Sequence, residues 1–265
     1  GDFNGDGKGD VVVFSINGTG STASSVNVYL LNISATTGLM APVSQFTLGP
    51  NPGGWDFQSM KSVVANVNGD AYSDIVIFHR AAGNEIARHI LMGSAAGLTQ
   101  SNPNNVAWYY PANGWSWDSL MPIGGGDVNN DGFGDVVTFF INPDREGFNV
   151  YLYKGAANGI LGNPILQQSF TPSAGGWSFK KSKPVLSDVN GDGYTDLVIF
   201  HKGPDAANDI AINVLPGSAS GIGQSNQSML KWIGSGQGWA WDNLKIAGAG
   251  KFDGDTYGDI VGFSI

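Results

Sequence analysis

The sequence contains no cysteine, which excludes disulfide bonds and thiol chemistry. Charged residues make up only 13% of the 265 residues, and the net charge of −9 argues against binding to nucleic acid. No run of 18 apolar residues is present, so the sequence predicts no membrane span. What the chain has in excess is glycine, with 40 residues, in a composition apolar enough for a folded core.

The few acidic residues are concentrated in five segments of nine residues, which we call acidic loops 1 to 5. Fourteen of the 22 acidic side chains lie in these loops. Their sequences are DFNGDGKGD (2–10), NVNGDAYSD (66–74), DVNNDGFGD (127–135), DVNGDGYTD (188–196) and KFDGDTYGD (251–259). Successive loops start 64, 61, 61 and 63 residues apart. A fixed period of this length indicates a repeat architecture.

Each full repeat is predicted to form four β-strands. In residues 119–177 these are SLMPIGGG, DVVTFFI, FNVYLYKG and ILQQSFT, which are rich in β-branched and aromatic residues. Four-stranded units repeated radially are propeller blades. The sequence therefore predicts an all-β fold, a β-propeller of four-stranded antiparallel blades, with about four blades plus a partial fifth. We expect one domain over 1–265, with repeats at about 1–64, 65–125, 126–186, 187–249 and 250–265.

The strand count does not fit a closed four-bladed ring. The repeats predict three strands, then three full blades, then two strands, which gives seventeen where a closed ring needs sixteen. We therefore expect the chain to be a segment of a longer propeller, or its surplus strand to pair with another chain. An unpaired apolar strand edge favours such self-association.

The repeat resembles a known family. The acidic loop, the DIVIF strand that follows it (74–78) and the GSAAGL turn (93–98) resemble the FG-GAP repeat of integrin α-subunit propellers. They also resemble related secreted bacterial and fungal propellers, some of which are lectins. The resemblance covers the whole chain. It implies that the acidic loop joins the first two strands of a blade and binds calcium, and that the protein is secreted.

The acidic loops offer oxygen ligands at loop positions 1, 3, 5 and 9, and position 7 offers its backbone carbonyl. Calcium takes six to eight oxygen ligands, so this pattern predicts structural Ca²⁺. The predicted ligands are Asp2, Asn4, Asp6, Lys8 and Asp10; Asn66, Asn68, Asp70, Tyr72 and Asp74; Asp127, Asn129, Asp131, Phe133 and Asp135; Asp188, Asn190, Asp192, Tyr194 and Asp196; and Asp253, Asp255, Tyr257 and Asp259.

The five loops are not equivalent, and three to five calcium sites are predicted. Loops 1, 3 and 4 keep the full pattern. Loop 2 has Asn66 at position 1 and Ala71 in place of a glycine, so we expect weaker binding there. Loop 5 has Lys251 at position 1, and its ammonium group would occupy or repel the cation site. The alternative to a calcium site is an Asx turn that holds no metal.

The face opposite the acidic loops is predicted to bind a ligand, because the repeats alternate there. The second and fourth blades each gather a histidine, a cation, two tryptophans and an aspartate. These are His79, Arg80, Trp115, Trp117 and Asp118, and His201, Lys202, Trp239, Trp241 and Asp242. Aromatic faces beside hydrogen-bonding groups suit sugar rings.

Within this predicted site the second tryptophan of each pair, Trp117 or Trp241, is the better ligand candidate. The first recurs in every repeat, also at Trp55 and Trp177, and is expected to wedge between blades. The two histidines are more often structural than ligand contacts.

The sequence thus predicts a secreted, calcium-stabilised, non-catalytic propeller that binds carbohydrate at repeated sites. One alternative is a protein-interaction or adhesion propeller of integrin type. A second is a polysaccharide-active enzyme or its accessory domain, although no zinc-spaced histidine cluster, nucleophile elbow or phosphate-binding loop is present in the sequence.

Overall fold

The fold is all-β in the part of the chain that the structure describes. No α-helix occurs in these ranges, and the helical turns described there are short 3-10 turns at Ala82–Asn84, Trp117–Ser119 and Phe179–Lys181. The computed structural model describes residues 1–17, 25–33, 40–48, 60–99, 107–109, 114–142, 146–171, 178–203, 209–224, 231–234 and 239–265.

Seventeen strands lie in the described ranges, the number that the repeats predict. They are β1 (Val11–Asn17), β2 (Ser25–Ile33), β3 (Met40–Leu48), β4 (Met60–Ala65), β5 (Asp74–Arg80), β6 (Ile86–Leu91), β7 (Ala107–Tyr109), β8 (Leu120–Gly126), β9 (Asp135–Ile141), β10 (Phe148–Tyr153), β11 (Ile165–Phe170), β12 (Ser182–Ser187), β13 (Asp196–Lys202), β14 (Ile210–Leu215), β15 (Lys231–Ile233), β16 (Leu244–Gly250) and β17 (Asp259–Ser264).

The strands form five antiparallel sheets, each built from strands that are consecutive in sequence. The sheets are β1-β2-β3, β4-β5-β6-β7, β8-β9-β10-β11, β12-β13-β14-β15 and β16-β17. All neighbouring strands in them run antiparallel. This confirms the predicted four-strand repeat and its grouping into three strands, three sets of four and a final two.

The second strand of each four-stranded sheet is its central, buried element. Strands β5 and β13 read DIVIFHR and DLVIFHK, and in each the first six residues are buried. A continuous apolar run of this kind is typical of a strand covered on both faces. The outer strand β11, by contrast, exposes Ile165 and Leu166.

The chain divides into two compact units, which we describe separately. The first comprises Gly1–Pro122 with Gly155–Ile160, and the second comprises Ile123–Lys154 with Leu161–Ile265. Buried aliphatic side chains of β2, β5 and β6 form a core in the first unit, together with Phe3 of acidic loop 1. A core of the second unit is formed by side chains of β13 and β14 with Trp241 and Leu244.

Glutamine side chains tie neighbouring sheets together within each unit. In the first unit Gln45 Oε1 on β3 accepts a hydrogen bond of 2.8 Å from the backbone N–H of Leu98. In the second unit Gln167 Oε1 on β11 accepts one of 2.9 Å from Ile222. The turn glycines Gly97 and Gly221 have φ of 95° and 116°. A Cβ atom at either would collide with the glutamine oxygen, so only glycine suits both the conformation and the close approach.

Candidate metal centres and the opposite rim

The acidic loops lie between the first and second strands of a sheet, as predicted. Loops 2, 3, 4 and 5 connect β4 to β5, β8 to β9, β12 to β13 and β16 to β17, and loop 1 precedes β1. The two predicted wedge residues Trp55 and Trp177 fall outside the described residues.

Loop positions 3 and 5 each form an Asx turn, in which a side-chain oxygen accepts from the N–H two residues further on. In loop 4, Asn190 Oδ1 accepts from Asp192 at 2.8 Å, and Asp192 Oδ1 accepts from Tyr194 at 3.0 Å. The same two turns recur in all five loops, with N···O distances of 2.7 to 3.2 Å. The aspartate of position 5 uses Oδ1 for its turn in every loop, and in loops 2 and 3 its Oδ2 accepts from Nδ2 of the position 3 asparagine.

The aspartate of position 1 accepts hydrogen bonds from the backbone N–H groups of its own loop. Asp188 Oδ1 accepts from Gly191 at 2.8 Å and from Asp192 at 3.2 Å, and its Oδ2 accepts from Gly193 at 3.0 Å. Loop 1 repeats all three bonds around Asp2. Gly191 and Gly193 have φ of 74° and 89°, angles that glycine adopts without strain and that let the chain curl around one carboxylate.

The aspartate of position 9 is a buried anchor. Asp74 and Asp196 are fully buried, and the Oδ2 atom of each accepts from the N–H of loop position 2, at 2.8 and 3.1 Å. Their Oδ1 atoms accept from Gly93 and Gly217 in the turn after the third strand, both at 2.9 Å. Burial raises the pKa of both carboxyls to about 6, against the opposing effect of these backbone N–H groups. Position 9 therefore ties the loop to the next turn of its own repeat.

The two histidines predicted for the face opposite the acidic loops, which we call the rim, lie in the interior. His79 is fully buried, and His201 is 6% exposed. His79 Nδ1 lies 3.1 Å from the carbonyl oxygen of Arg80, and its Nε2 lies 3.0 Å from Nε2 of His89. Since a carbonyl only accepts, Nδ1 of His79 donates, and the proton between the two Nε2 atoms is donated by His89. Burial lowers the pKa of both rings, that of His89 to about 3, so the pair is neutral.

The predicted ligand tryptophans Trp117 and Trp241 are also buried, each only 6% exposed. A lysine ammonium from a neighbouring sheet covers each indole. Lys61 Nζ lies 4.2 Å from the ring centroid of Trp117, and Lys183 Nζ lies 3.9 Å from that of Trp241. In this arrangement a sugar could stack on either indole only after the lysine or the surrounding chain had moved.

The same two lysines donate hydrogen bonds to the backbone that enters the next sheet. Lys61 Nζ donates to the carbonyl oxygens of Trp117 and Leu120, at 3.3 and 2.5 Å. Lys183 Nζ donates to those of Trp241 and Leu244, at 2.7 and 2.6 Å. Each lysine thus braces two successive repeats, and the tryptophan is part of the brace.

The substitution Lys183→Met is expected to lower the free energy of unfolding by about 2 to 3 kcal/mol, because it removes one cation–π contact and two hydrogen bonds to carbonyls. Urea denaturation would measure the loss. Lys245→Met, which removes an exposed lysine of β16, is the matched control. A Lys183→Met protein as stable as this control would contradict the brace.

In the first unit Asn84 contacts two side chains that precede strand β8. Its Nδ2 donates to Ser116 Oγ at 2.8 Å and to Asp118 Oδ2 at 3.3 Å. Trp115 is half-buried and packs on Tyr109, with the ring centroids 5.4 Å apart. The structure thus brings Asn84 and Asp118 together, and Trp115, three residues before Asp118 in the chain, keeps part of its indole exposed.

The rim of the second unit combines an ion pair with an apolar cavity. Lys202 Nζ lies 3.2 Å from Asp242 Oδ1. Trp239 is 37% exposed and lines a cavity of about 120 Å³. The residues around it are Phe200, Ile210, Ile233, Trp239, Leu244, Ile246, Ile260 and Gly262. Such a lining offers almost nothing to sugar hydroxyls and suits an apolar group.

Residues 127–199 match the model of the FG-GAP-like repeat family. This part of the chain is an FG-GAP-like repeat. Residues 127–199 include acidic loops 3 and 4 and the strands β9 to β12 between them, so the match covers one complete period of the chain. FG-GAP repeats commonly bind calcium.

A distant relative supports the same family. Integrin alpha-V of Gallus gallus is 28% identical over 155 residues, which is 54% of this chain and 14% of that protein. The chain therefore spans only a small part of the length of this relative. A search of the described residues finds no helix that is both long and apolar enough to cross a membrane.

The oxygen donors of the acidic loops fit a hard cation such as calcium. In loop 1 the Oδ1 atom of Asp10 is buried and has no hydrogen-bond partner among the residues that the structure describes. This is a costly state for a carboxylate oxygen unless a cation compensates it. No cluster of three His, Cys, Asp or Glu side chains suited to a metal is found in the described ranges. The asparagine and backbone oxygens of positions 3 and 7 would therefore have to complete the site.

Loops 2 and 5 depart from this geometry at position 1. Asn66 Nδ2 donates to the carbonyl oxygen of Asp70, where Asp188 of loop 4 accepts from backbone N–H groups. In loop 5 Lys251 is exposed, and so is Phe252 at position 2, whereas the equivalent Phe3 of loop 1 is buried. Both loops therefore lack the position 1 carboxylate that accepts from the loop backbone in loops 1 and 4. Weaker calcium binding by loop 2 and interference by Lys251 in loop 5 stay predictions.

In metal-free buffer, the buried anchors are expected to make the protein less stable as the pH rises from 4 to 7. The pKa of Asp74 and of Asp196 is about 6 in the folded state against an ordinary value of 3.8. The contribution of these two carboxyls to the free energy of unfolding is thus fully present below pH 3.8 and is lost as the pH rises through 6. The loss is on the order of 3 kcal/mol for each carboxyl.

The double variant Asp74→Asn, Asp196→Asn isolates this effect, because it cannot ionise at these positions. In urea denaturation at pH 4, 5, 6 and 7, the free energy of unfolding should fall more steeply with pH for the unchanged protein than for the variant. Parallel curves would show that the two carboxyls titrate normally in the folded state.

Proposed function

We propose that the chain forms calcium-stabilised blades of a β-propeller that serves as a non-catalytic interaction module outside the cell. The recurrence of the same two Asx turns in all five acidic loops carries this proposal. Four-stranded meanders repeat along the chain, glutamine and lysine side chains join successive sheets within each unit, and FG-GAP-like repeats form propellers. Radial repetition of such sheets is the arrangement that covers their faces.

Calcium is proposed to bind loops 1, 3 and 4 most tightly and loops 2 and 5 weakly. The metal would bind the oxygens of positions 1, 3, 5, 7 and 9 and neutralise carboxylates that otherwise repel one another. Titration calorimetry with native mass spectrometry would count the ions, and we expect three to five. Asp192→Ala should remove one of them, and a chain that binds no calcium would refute the proposal.

A protein surface is the ligand class that the structure supports best. The relative is an integrin α-subunit. Trp117 and Trp241 brace the fold and have no open face, and the cavity beside Trp239 is lined by apolar groups. A cleft of this kind suits an apolar side chain of a protein partner.

Carbohydrate is the second candidate, and the cluster around Trp115 favours it. The indole of Trp115 is partly open, and Asp118, three residues further along the chain, accepts a hydrogen bond from Asn84. The indole would stack on a sugar ring, and the two polar side chains would bind its hydroxyl groups. Arg80 is exposed, and Lys202 and Asp242 offer charged groups on the rim of the second unit.

A glycan array with and without calcium would separate the two ligand classes. Binding that is lost in Trp115→Ala and kept in Trp117→Phe would establish a sugar site at Trp115. An array without binding, by a protein shown to hold calcium, would leave the protein-interaction function as proposed.

A further inference from the structure

Adjacent acidic loops are joined by a backbone hydrogen bond that the sequence pattern does not reveal. The N–H of position 8 in one loop donates to the carbonyl oxygen of position 1 in the preceding loop. The bonds run from Ser73 to Asp2 (2.7 Å), from Thr195 to Asp127 (2.8 Å) and from Gly258 to Asp188 (2.6 Å). The first joins loops 1 and 2 in one unit, and the others join loops 3 and 4 and loops 4 and 5 in the second unit.

The residues beside these bonds are packed too closely for extra atoms. A Cβ atom on Gly1 would lie 2.7 Å from Ser73 Cβ, and one on Gly126 would lie 2.7 Å from Thr195 Oγ1. Between loops 4 and 5 the glycine is on the other side, since a Cβ on Gly258 would collide with Ser187 Oγ. One partner of each pair is therefore glycine, and the spacing of neighbouring loops is fixed.

A tyrosine makes the second contact between adjacent loops. The ring of Tyr72, at position 7 of loop 2, lies against Gly5 of loop 1, so that a Cβ on Gly5 would lie 2.6 Å from its Cε1. The ring of Tyr257, at position 7 of loop 5, lies against Gly191 of loop 4, where the same distance is 3.0 Å. Gly5 and Gly191 are position 4 of their loops, inside the curl around the first carboxylate.

These contacts join the proposed metal ligands of one loop to those of the next. Position 8 stands between the carbonyl ligand of position 7 and the carboxylate ligand of position 9. Its N–H is bonded to the backbone of position 1, whose side chain is the first ligand of the preceding loop. A cation that fixes positions 7 and 9 in one loop therefore also orders position 1 of its neighbour.

We propose that calcium binding is positively coupled between adjacent loops, within the pairs 1 and 2, 3 and 4, and 4 and 5. The proposal rests on calcium binding in the loops as proposed above. Coupling is reciprocal, so a loop with the full ligand set promotes binding in a weak neighbour. Loop 1 would support loop 2, and loop 4 would support loop 5.

The first test separates coupling from ligand loss. Tyr257→Ala keeps all proposed oxygen ligands, since position 7 contributes only its carbonyl, and removes the contact with Gly191. Calorimetry should show unchanged stoichiometry and a calcium affinity of the loop 4 and loop 5 sites about fivefold to tenfold weaker, the lower part of the range for coupled sites. Tyr257→Phe keeps the ring and should bind calcium like the unchanged protein. The pair Tyr72→Ala and Tyr72→Phe repeats the test in the first unit, with weaker calcium binding expected only for Tyr72→Ala.

The second test removes a whole loop. Asp192→Ala disables loop 4, and under coupling it should also weaken the sites in loops 3 and 5. Glu146→Ala is the control, because it removes the same charge from an exposed surface pair with Lys180. Circular dichroism at saturating calcium would establish that each variant is folded, and should Asp192→Ala not fold, the Tyr257 variants decide.

The possible outcomes distinguish the two proposals. An unchanged protein that binds no calcium refutes calcium binding itself. If the protein binds calcium and neither Tyr257→Ala nor Tyr72→Ala changes any affinity, only the coupling is refuted. Tighter binding in a loop after its neighbour is disabled would indicate repulsion between the ions and would also overturn the proposal.

Discussion

Removal of calcium is expected to lower the free energy of unfolding by about 8 kcal/mol. A ligand that binds only the folded state contributes about 2.7 kcal/mol per site at a hundredfold excess over its Kd, and three loops carry the full ligand set. The effect is large because the carboxylates of each loop are held together by the fold whether or not a cation is present. Urea denaturation in calcium and after chelation would measure it.

Magnesium at the same ionic strength is the control for this experiment, because Mg²⁺ demands a tighter octahedral geometry and holds its water strongly. It should restore little of the lost stability. A denaturation curve that is the same with and without chelator, after metal analysis has shown that the calcium is gone, would mean that the loops are held by their Asx turns alone.

Asp196→Ala is expected to cost about 5 kcal/mol in saturating calcium. The change removes a proposed ligand of loop 4, worth about 2.7 kcal/mol at a hundredfold excess of calcium. It also leaves the buried N–H groups of Val189 and Gly217 without their acceptor. A buried unsatisfied group costs about 1 to 3 kcal/mol, and relief of the buried charge offsets part of this.

Asp192→Ala is the matched variant, since Asp192 belongs to the same loop but is exposed and accepts only from its own turn. It should cost about 3 kcal/mol in calcium, the contribution of one site. After chelation the difference of about 2 kcal/mol between the two variants should remain, with Asp192→Ala close to the unchanged protein and Asp196→Ala still less stable. Equal losses in both conditions would show that position 9 does not anchor the loop.

The sequence by itself determined the strands, their grouping and the places of the acidic loops. These features depend on residues close together in the chain. The run DIVIFHR of β5 is apolar over its central positions, and a nine-residue loop rich in glycine and aspartate interrupts regular secondary structure. The same local pattern recurs five times with a period of 61 to 64 residues. The seventeen strands could therefore be counted from the sequence alone.

The tertiary structure alone decided which side chains are available for a ligand. Trp117 belongs to a motif that suits sugar stacking, yet Lys61, 56 residues away in the chain, covers its ring. His79 is likewise paired with His89 on the next strand rather than exposed on the rim. Nothing in the local sequence distinguishes an indole that faces solvent from one that faces a lysine.

The links between acidic loops were also visible only in three dimensions. The hydrogen bond from Thr195 to Asp127 joins positions 68 residues apart, through backbone atoms that all residues except proline share. The physical reason is that the sequence encodes the donors of each loop locally, whereas the distance between neighbouring loops is set by how the sheets pack. The composition of a loop therefore predicts what it can bind, and the packing of the sheets decides whether one loop influences the next.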